Sequence, residues 1–590
     1  MRTALVLSVL TIVAIAQETP ARPANLPWPS RPLEWKDVNF ISTSDTHGWL
    51  LGHQHATWPE PNYSGDFGSF ASFVTHLRAM ADEQGEDLIL VDAGDHHDGS
   101  GLVSSSSASA SRAEEIFSML EYDVLTIGNH ELYYYGIAKE IYDHRDRWKG
   151  RFLTSNVNIT VQAEDGQSIS VPVGERFAKF ETKQGRKVTA FGLIFDFQWH
   201  DQNLTVQSPD HLVEESWFLD AIDIAPDFFV LVGHMPVRDD ILSSPSSSLV
   251  DIRMFEIAYS STSDPSLPGR YMETIAFTSS SLPDDVAPGD PLSVSRRYID
   301  GNTRSYIFHS RRHEDNFNTP LGVNITWALL SLASKLDISK PLGRAPHDLF
   351  LSRYAYGHPR SILTEWTQKV IPTTVQDPAR QGARLLIAQA GSLRFDVFQG
   401  GFDRNDELTV SPFENHFLYI PLQASLARKV TDQLNLAGPS KLHAKASSSR
   451  NEDERVERIY REWLSSQWEY HVGEESKREA QVIWFKAPPV LTMGYVTRDT
   501  CPGIGDDIEH IPVPYSGLQP AFVCTPFPSE VGDDEKIDVG ILSFSLDDFL
   551  AAVNTLDPEL QISAQDVKPY AEHVAVNNMW GKYATMAWQD

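Results

Sequence analysis

The chain has 590 residues, 41% of them hydrophobic, which is ample for buried cores and long for a single domain. A formal charge of −31 and a pI near 5.0 give a surface that repels DNA, RNA and anionic membranes, because binding to these rests on phosphate neutralisation by Lys and Arg. A nucleic-acid polymer is thereby excluded as a partner, and the plain reading of the charge is solubility.

The N-terminus reads as a targeting segment. Arg2 precedes an apolar run from Leu5 to Ile15, and Ala14-Ile15-Ala16 is a small-x-small cleavage site. Residues 1–16 are therefore expected to be a secretory signal peptide. That run is too short for a comfortable transmembrane helix, and no later segment reaches the length, so no membrane span is expected. The destination expected is the exterior, or a secretory-pathway lumen such as a vacuole. Residues 17–35 form a Pro-rich leader. Sequons at Asn62, Asn158, Asn203 and Asn324 agree with this route, as do two cysteines, Cys501 and Cys524, able to pair in an oxidising compartment.

Residues 36–330 alternate strand and helix. The pattern predicts strands at Val38–Ser42, Leu88–Val91, Val124–Ile127, Lys187–Phe195 and Phe228–Val232. Helices are predicted at Phe70–Met80, Ser111–Leu120 and His211–Ile222. Continuous apolar strands between helices indicate a sheet covered on both faces, hence an α/β layered domain. Residues 331–345 read as a linker, punctuated by Pro341 and Gly343. Residues 346–590 form a second, mixed α/β domain, with an exposed polar loop expected over Lys441–Arg455.

The chemistry-bearing residues follow the strands. Asp45-Thr46-His47 follows the first and Gly94-Asp95-His96-His97-Asp98-Gly99 the second. Gly128-Asn129-His130-Glu131 follows the third, and Gly233-His234 a later one. Ligands collect at the carboxyl ends of strands in α/β sheets, so these residues are expected to meet in one crevice. Asp, His and an Asn carbonyl suit Zn, Mn or Fe. Two such divalent ions with a bridging carboxylate suit hydrolysis of phosphate esters by a hydroxide nucleophile.

Asp-x-His, Gly-Asp-x-x-Asp-Gly, Gly-Asn-His-Glu and Gly-His, in this order, resemble the calcineurin-like metallophosphoesterases. The C-terminal half resembles the second domain of the 5'-nucleotidases, through "AQAGSLRFDVFQGGFDRNDELTVSPFENHF". "DTHGWLLGH" and "GNHELYYYG" are similar to a fungal branch. The resemblance implies a four-layer β-sandwich flanked by helices, followed by a mixed α/β substrate domain. It implies two metals: Asp45 and His47 on the first, Asn129 and His234 on the second, and Asp95 bridging. His130 would act on the phosphoryl group or the leaving oxygen. Tyr133 stands where 5'-nucleotidases carry the Asp that orients this histidine. Asp98 matches the last Asp of Gly-Asp-x-x-Asp, which does so in the Ser/Thr phosphatase branch, so the resemblance implies an Asp98–His130 dyad. His96 and His97 match no family position and are expected to be exposed loop histidines. Arg394, Phe413, Tyr495 and Asp506 are candidate substrate contacts, with Phe413 and Tyr495 equally readable as core aromatics. Gln389 stands where 5'-nucleotidases carry Asn, which leaves nucleotide specificity open.

One motif departs from the family. The family pattern ends in Gly-His-x-His, but residues 235–308 contain no histidine. His309 and His313 have the wrong spacing to replace the pair. The stretch "RDDILSSPSSSLVDIRM" has little strand pattern. Two explanations compete: a degenerate, weakly metallated protein, or a gene model or transcript that lost a segment, with a helix and a strand absent here. Loss of a central strand is expected to leave unpaired backbone groups as well as a weakened metal site. The activity expected is hydrolysis of a phosphate monoester, a nucleotide first. The alternatives are a non-catalytic binding protein and a nucleotide-sugar or phosphodiester hydrolase.

Overall fold

The computed structural model describes residues 28–52, 64–163, 165–198, 200–223, 226–234, 254–259, 275–281, 294–351, 353–444, 507 and 519–589. The expected signal peptide, most of the expected leader, Asn62, Tyr495, Cys501 and Asp506 lie outside these residues. The first domain holds thirteen strands among the described residues. In chain order they are β1 (Val38–Thr43), β2 (Asp87–Asp92), β3 (Val124–Thr126), β4 (Phe152–Leu153), β5 (Val157–Gln162), β6 (Ser168–Pro172) and β7 (Phe177–Glu181). There follow β8 (Lys187–Ile194), β9 (Leu204–Val206), β10 (Phe228–His234), β11 (Met254–Tyr259), β12 (Ile275–Ser280) and β13 (Val294–Ile299).

Two sheets use most of them. The first has the order β13-β12-β1-β2-β3-β4, with β1 to β4 parallel and β12 and β13 antiparallel additions. The second has the order β11-β10-β8-β7. Val38, Phe40, Ile89, Val91 and Val124 of the first face Val188, Ala190, Phe228, Val230 and Val232 of the second, all buried. Burial of each larger side chain here is worth about 1.5–3 kcal/mol. The outer face of the first sheet is covered by helices Phe67–Gln84, Ser107–Phe117 and Pro320–Leu336, through Phe70, Phe73, Leu77, Phe117 and Leu329. Helix Ser216–Asp223 covers Phe191 and Phe229 of the second. The result is helix, sheet, sheet, helix: the four layers expected.

Local signals set the elements. Helix Phe67–Gln84 starts where the Asp66 side chain accepts a hydrogen bond from Ser69 N at 2.7 Å, and stops at Gly85 in the left-handed conformation. The predicted helix over 211–222 is broken. Pro209–Glu214 is a 3₁₀ turn and the α-helix begins at Ser216. The stretch 331–345 is not an irregular connection either. Its first residues are the last turns of helix Pro320–Leu336, and Pro341–Ala345 is a strand paired with Gly400–Asp403.

The second domain is built on a five-stranded sheet. Its order is Phe522–Cys524, Arg384–Gln389, Lys536–Leu542, His416–Gln423, Lys568–Ala575. Helix Val576–Ala587 and the residues from Ile362 to Val375 pack on one face, and helices Ala424–Ala444 and Leu546–Leu556 on the other. Residues 441–444 of the expected polar loop are the end of a helix; 445–455 lie outside the described residues.

Candidate active site

The parallel strands β1, β2 and β3 run side by side, so the loops leaving their carboxyl ends lie together. β10 ends at His234 in the facing sheet. Close approach of two loops explains two glycines. A Cβ on Gly94 would stand 2.3 Å from Gly128 N, and one on Gly128 would stand 2.1 Å from Asp95 Oδ1.

Asp95 is the centre. His234 Nε2 lies 3.3 Å from its Oδ2, His47 Nε2 3.9 Å and His130 Nε2 4.0 Å, and all four residues are buried. His47 Nε2 lies 3.8 Å from Asp45 Oδ1, and His234 Nε2 3.0 Å from Asn129 Oδ1. The structure thus brings Asp45, His47, Asp95, Asn129, His130 and His234 together. Asp45, His47, Asp95 and Asp98 all have left-handed backbones, with φ of 59°, 43°, 62° and 59°. Such conformations cost non-glycine residues on the order of 1–3 kcal/mol each and persist where surrounding bonds impose them, typically at functional sites.

The outer atoms fix how the inner atoms point. His234 Nδ1 donates to Ala93 O at 2.8 Å and His47 Nδ1 to His97 O at 2.6 Å, which turns both Nε2 atoms inward. Asn129 Nδ2 donates to Tyr133 OH at 3.0 Å, which leaves Oδ1 facing the cluster. Metal-binding residues are oriented by outer hydrogen bonds of this type. Asp45 Oδ1 and Asp95 Oδ2 are buried without a hydrogen-bond partner. Buried carboxylate oxygens aimed at inward imidazole nitrogens fit a divalent cation, and so does the O/N donor set. Burial would raise the Asp95 pKa, but the charges of His234, His130 and His47 hold it well below the usual carboxylate range. Burial would lower that of His234, yet Asp95 pushes it up to about 10.

His130 has its own partners. Its Nδ1 lies 2.9 Å from Asp98 Oδ2, and its Nε2 lies 3.4 Å from Arg394 Nη2, which arrives from the second domain. Tyr133 meets His130 edge-on at 4.9 Å. Arg394 follows the strand Arg384–Gln389 and is tied by its N–H to Val410 O at 2.8 Å. Phe413 is half-buried rather than part of the core. Its ring stacks on His130 at 6.4 Å with the Arg394 guanidinium 5.5 Å from its centroid. His309 and His313 are elsewhere: His309 Nε2 bonds Asp507 at 2.6 Å, and His313 is exposed.

His96 and His97 are not exposed loop residues; both are buried under the site. His96 is held between Asp92 Oδ1 at 2.8 Å and Glu114 Oε1 at 2.6 Å. Burial alone would lower its pKa, but Glu114 and Asp92 raise it well above the usual value. His97 Nδ1 donates to Glu131 Oε1 at 3.0 Å. Sequence reasoning also left Glu131 without a role. Its Oε2 accepts from Asp95 N and Gly128 N, both at 2.9 Å, and its Oε1 from His96 N at 2.8 Å and His97 N at 3.1 Å. One carboxylate therefore ties the β2 loop to the β3 loop. The available signal was that Glu131 adjoins His130 in a segment where every neighbour serves the site.

Comparison with known proteins places both halves of the chain in known families. Residues 38–258 match the calcineurin-like phosphoesterase family, and residues 348–550 match the C-terminal domain of NAD nucleotidase. A protein of Arthroderma benhamiae described as a secreted protein is 30% identical, over 95% of this chain and 92% of its own. A Schizosaccharomyces pombe protein is 28% identical, over 95% and 93%. The crystal structure of a 5'-nucleotidase from Candida albicans superposes with a TM-score of 0.77 at 26% identity, covering 95% of this chain and all of that one.

Proposed function

Because this chain belongs to the two-domain calcineurin-like phosphoesterases and is a hydrolase of that class, we propose that it cleaves phosphate monoesters, nucleotides foremost. The observation that carries the reading is the convergence of Asp45, His47, Asp95, Asn129 and His234 beside His130 and Arg394. Asp45, His47 and Asp95 would hold one divalent cation, and Asp95, Asn129 and His234 a second, of the Zn, Mn or Fe class. Two such ions supply an activated water as nucleophile and neutralise phosphate oxygens.

The chain's own residues do the rest. His130 stands where it can donate a proton or hydrogen bond to a phosphoryl or leaving oxygen, and Asp98 fixes its ring. Arg394 brings a permanent positive charge to the same place. Phe413 offers a ring for stacking a base. Tyr495 and Asp506 remain proposed contacts outside the described residues. The chain acts after entry into the secretory lumen and carries N-linked glycans; its likeness to a secreted protein supports this route. Among the described residues no helix is long and apolar enough to cross a membrane.

A second reading, a weakly metallated binding protein, draws on the missing Gly-His-x-His. Metal analysis of the purified protein, with a panel of nucleoside monophosphates, a nucleotide sugar, NAD and a generic monoester, separates the two. Two metals per chain and release of phosphate from monoesters are expected. Less than half a metal and no turnover in added Mn or Zn would refute the hydrolytic reading for this chain.

A further inference from the structure

Helix Pro320–Leu336 has two faces. Gly322, Ile325, Leu329 and Leu332 are buried, and Gly322 comes so close to helix Phe67–Gln84 that a Cβ on it would meet Gly68 O at 2.3 Å. Val323, Asn324 and Trp327 are exposed on the other side. Trp327 is 61% exposed, the most exposed aromatic among the described residues, and Val323 one turn earlier is 40% exposed. A lone exposed apolar side chain needs no explanation. Here an apolar pair at i, i+4 borders an asparagine in an Asn-Ile-Thr sequon, and that asparagine is exposed on the same face.

The other two described sequons differ. Asn158 is half-buried inside β5, with Arg176 donating to its Oδ1. Asn203 is half-buried, and its Nδ2 donates to Asp201 Oδ1 at 3.0 Å. Helical geometry adds a second point. Residues at i and i+3 are neighbours, and a long helical side chain leans over the turn N-terminal to its own Cα. The Trp327 indole is therefore expected to lean towards Val323 and Asn324.

We propose that Asn324 carries an N-linked oligosaccharide whose first sugar lies over Trp327 and Val323. The inference rests on the secretory-route reading above. The bond formed joins Asn324 Nδ2 to the anomeric carbon of an N-acetylhexosamine. The bond broken joins that carbon to the diphosphate of a lipid-linked oligosaccharide donor. The diphosphate departs with the electron pair, and the amide gives up one proton. In the folded protein Thr326 Oγ1 is bonded to Asp66 Oδ2 at 2.5 Å. This is no obstacle, because transfer to the unfolded chain precedes that bond. The sugar's axial C–H groups suit an indole face, and its hydroxyls face water, so an apolar strip becomes a polar surface.

The test uses the full chain secreted from a eukaryotic host. Glycopeptide mass spectrometry is expected to find the Asn324 peptide occupied. Asn324→Gln is expected to remove one glycan's worth of the mass lost on enzymatic deglycosylation, while Thr326→Ser keeps it. The unglycosylated variant is expected to bind more of an apolar fluorescent dye, and the added Trp327→Ser to reverse that gain. An unmodified Asn324 peptide overturns the proposal. An occupied Asn324 with no dye difference overturns the covering role. Phosphate release measured on the same samples keeps the two readings apart: hydrolysis with a bare Asn324 refutes only this one, and an occupied Asn324 without hydrolysis only the other.

Discussion

Glu131→Gln separates the site's support from its chemistry. In the native chain two carboxylate oxygens meet four buried N–H groups, those of Asp95, His96, His97 and Gly128, together with the His97 imidazole. A glutamine has one acceptor oxygen. The less costly orientation keeps that oxygen at the Oε1 position, with three donors, and sets the NH₂ against Asp95 N and Gly128 N. Two buried donors then lack an acceptor, at about 1–3 kcal/mol each, or about 2–6 kcal/mol together. The loss falls on the two loops that carry Asp95 and Asn129, so metal affinity is expected to drop by about 10–100-fold, as for other outer-shell changes. Urea unfolding and metal titration read the two effects. The pH dependence has a definite sign. Burial would raise the Glu131 pKa, but the hydrogen bond and charge of His97 hold it well below the usual range. Its contribution is therefore present above the unfolded carboxylate pKa and lost as the pH falls. The difference between wild type and Glu131→Gln is expected to be largest near neutrality and to shrink in acid. A variant as stable as wild type at neutral pH, with equal metal affinity, would refute the idea that this carboxylate holds the loops.

Two further substitutions test neighbouring claims. Asp98→Asn keeps a residue that tolerates the left-handed backbone at φ 59° but removes the charge beside His130 Nδ1. It is expected to lower kcat by about 10²–10⁴-fold with metal content unchanged, and an unchanged kcat would refute the role given to Asp98 in orienting His130. Asp396 is buried, and burial pushes its pKa up to about 7 despite the hydrogen bond from Leu351 N at 2.7 Å. The folded state thus keeps a proton that the unfolded chain releases near 3.8, so stability falls as the pH rises between the two, by about 4 kcal/mol at most. Asp396→Asn keeps the acceptor for Leu351 and is expected to raise the melting temperature at pH 7.5 but hardly at pH 4; equal shifts at both would refute the assignment.

The first domain was legible because its strands are buried on both faces and so read as uninterrupted apolar runs. Val38–Ser42 became Val38–Thr43, and Leu88–Val91 became Asp87–Asp92. The crevice was legible for the same reason, since each motif follows such a run. What escaped depends on contacts distant in sequence. Pro341 and Gly343 read as punctuation, yet they sit in a two-stranded pairing with residues some sixty positions later, where an edge strand accepts a proline. His96 and His97 read as loop residues because their counter-charges, Glu114 and Glu131, lie 18 and 34 residues away. An acidic side chain in a loop looks like a solvated one until the donors that surround it are known.

The serine-rich departure after His234 looks different once pairing is separated from coordination. A lost central strand was expected to harm both. Yet β10 is paired in parallel on both sides, with β8 from Phe228↔Val188 to His234↔Ile194 and with β11 from Phe229↔Met254 to His234↔Tyr259. The chain beyond the serine run therefore supplies the ladder that β10 needs, and the backbone groups of the His234 strand are satisfied. The imidazole is independently secured by Ala93 O, which belongs to the other sheet's loop. The position of His234 thus does not require the absent motif. In the proposed two-cation site the absent histidines would have added one donor to each ion, which bears on how tightly the ions would be held. Among the described residues the pairing of β10 is kept without Gly-His-x-His, so the expected effect of its loss is on metal affinity, and metal stoichiometry, rather than folding, is where that effect is to be read.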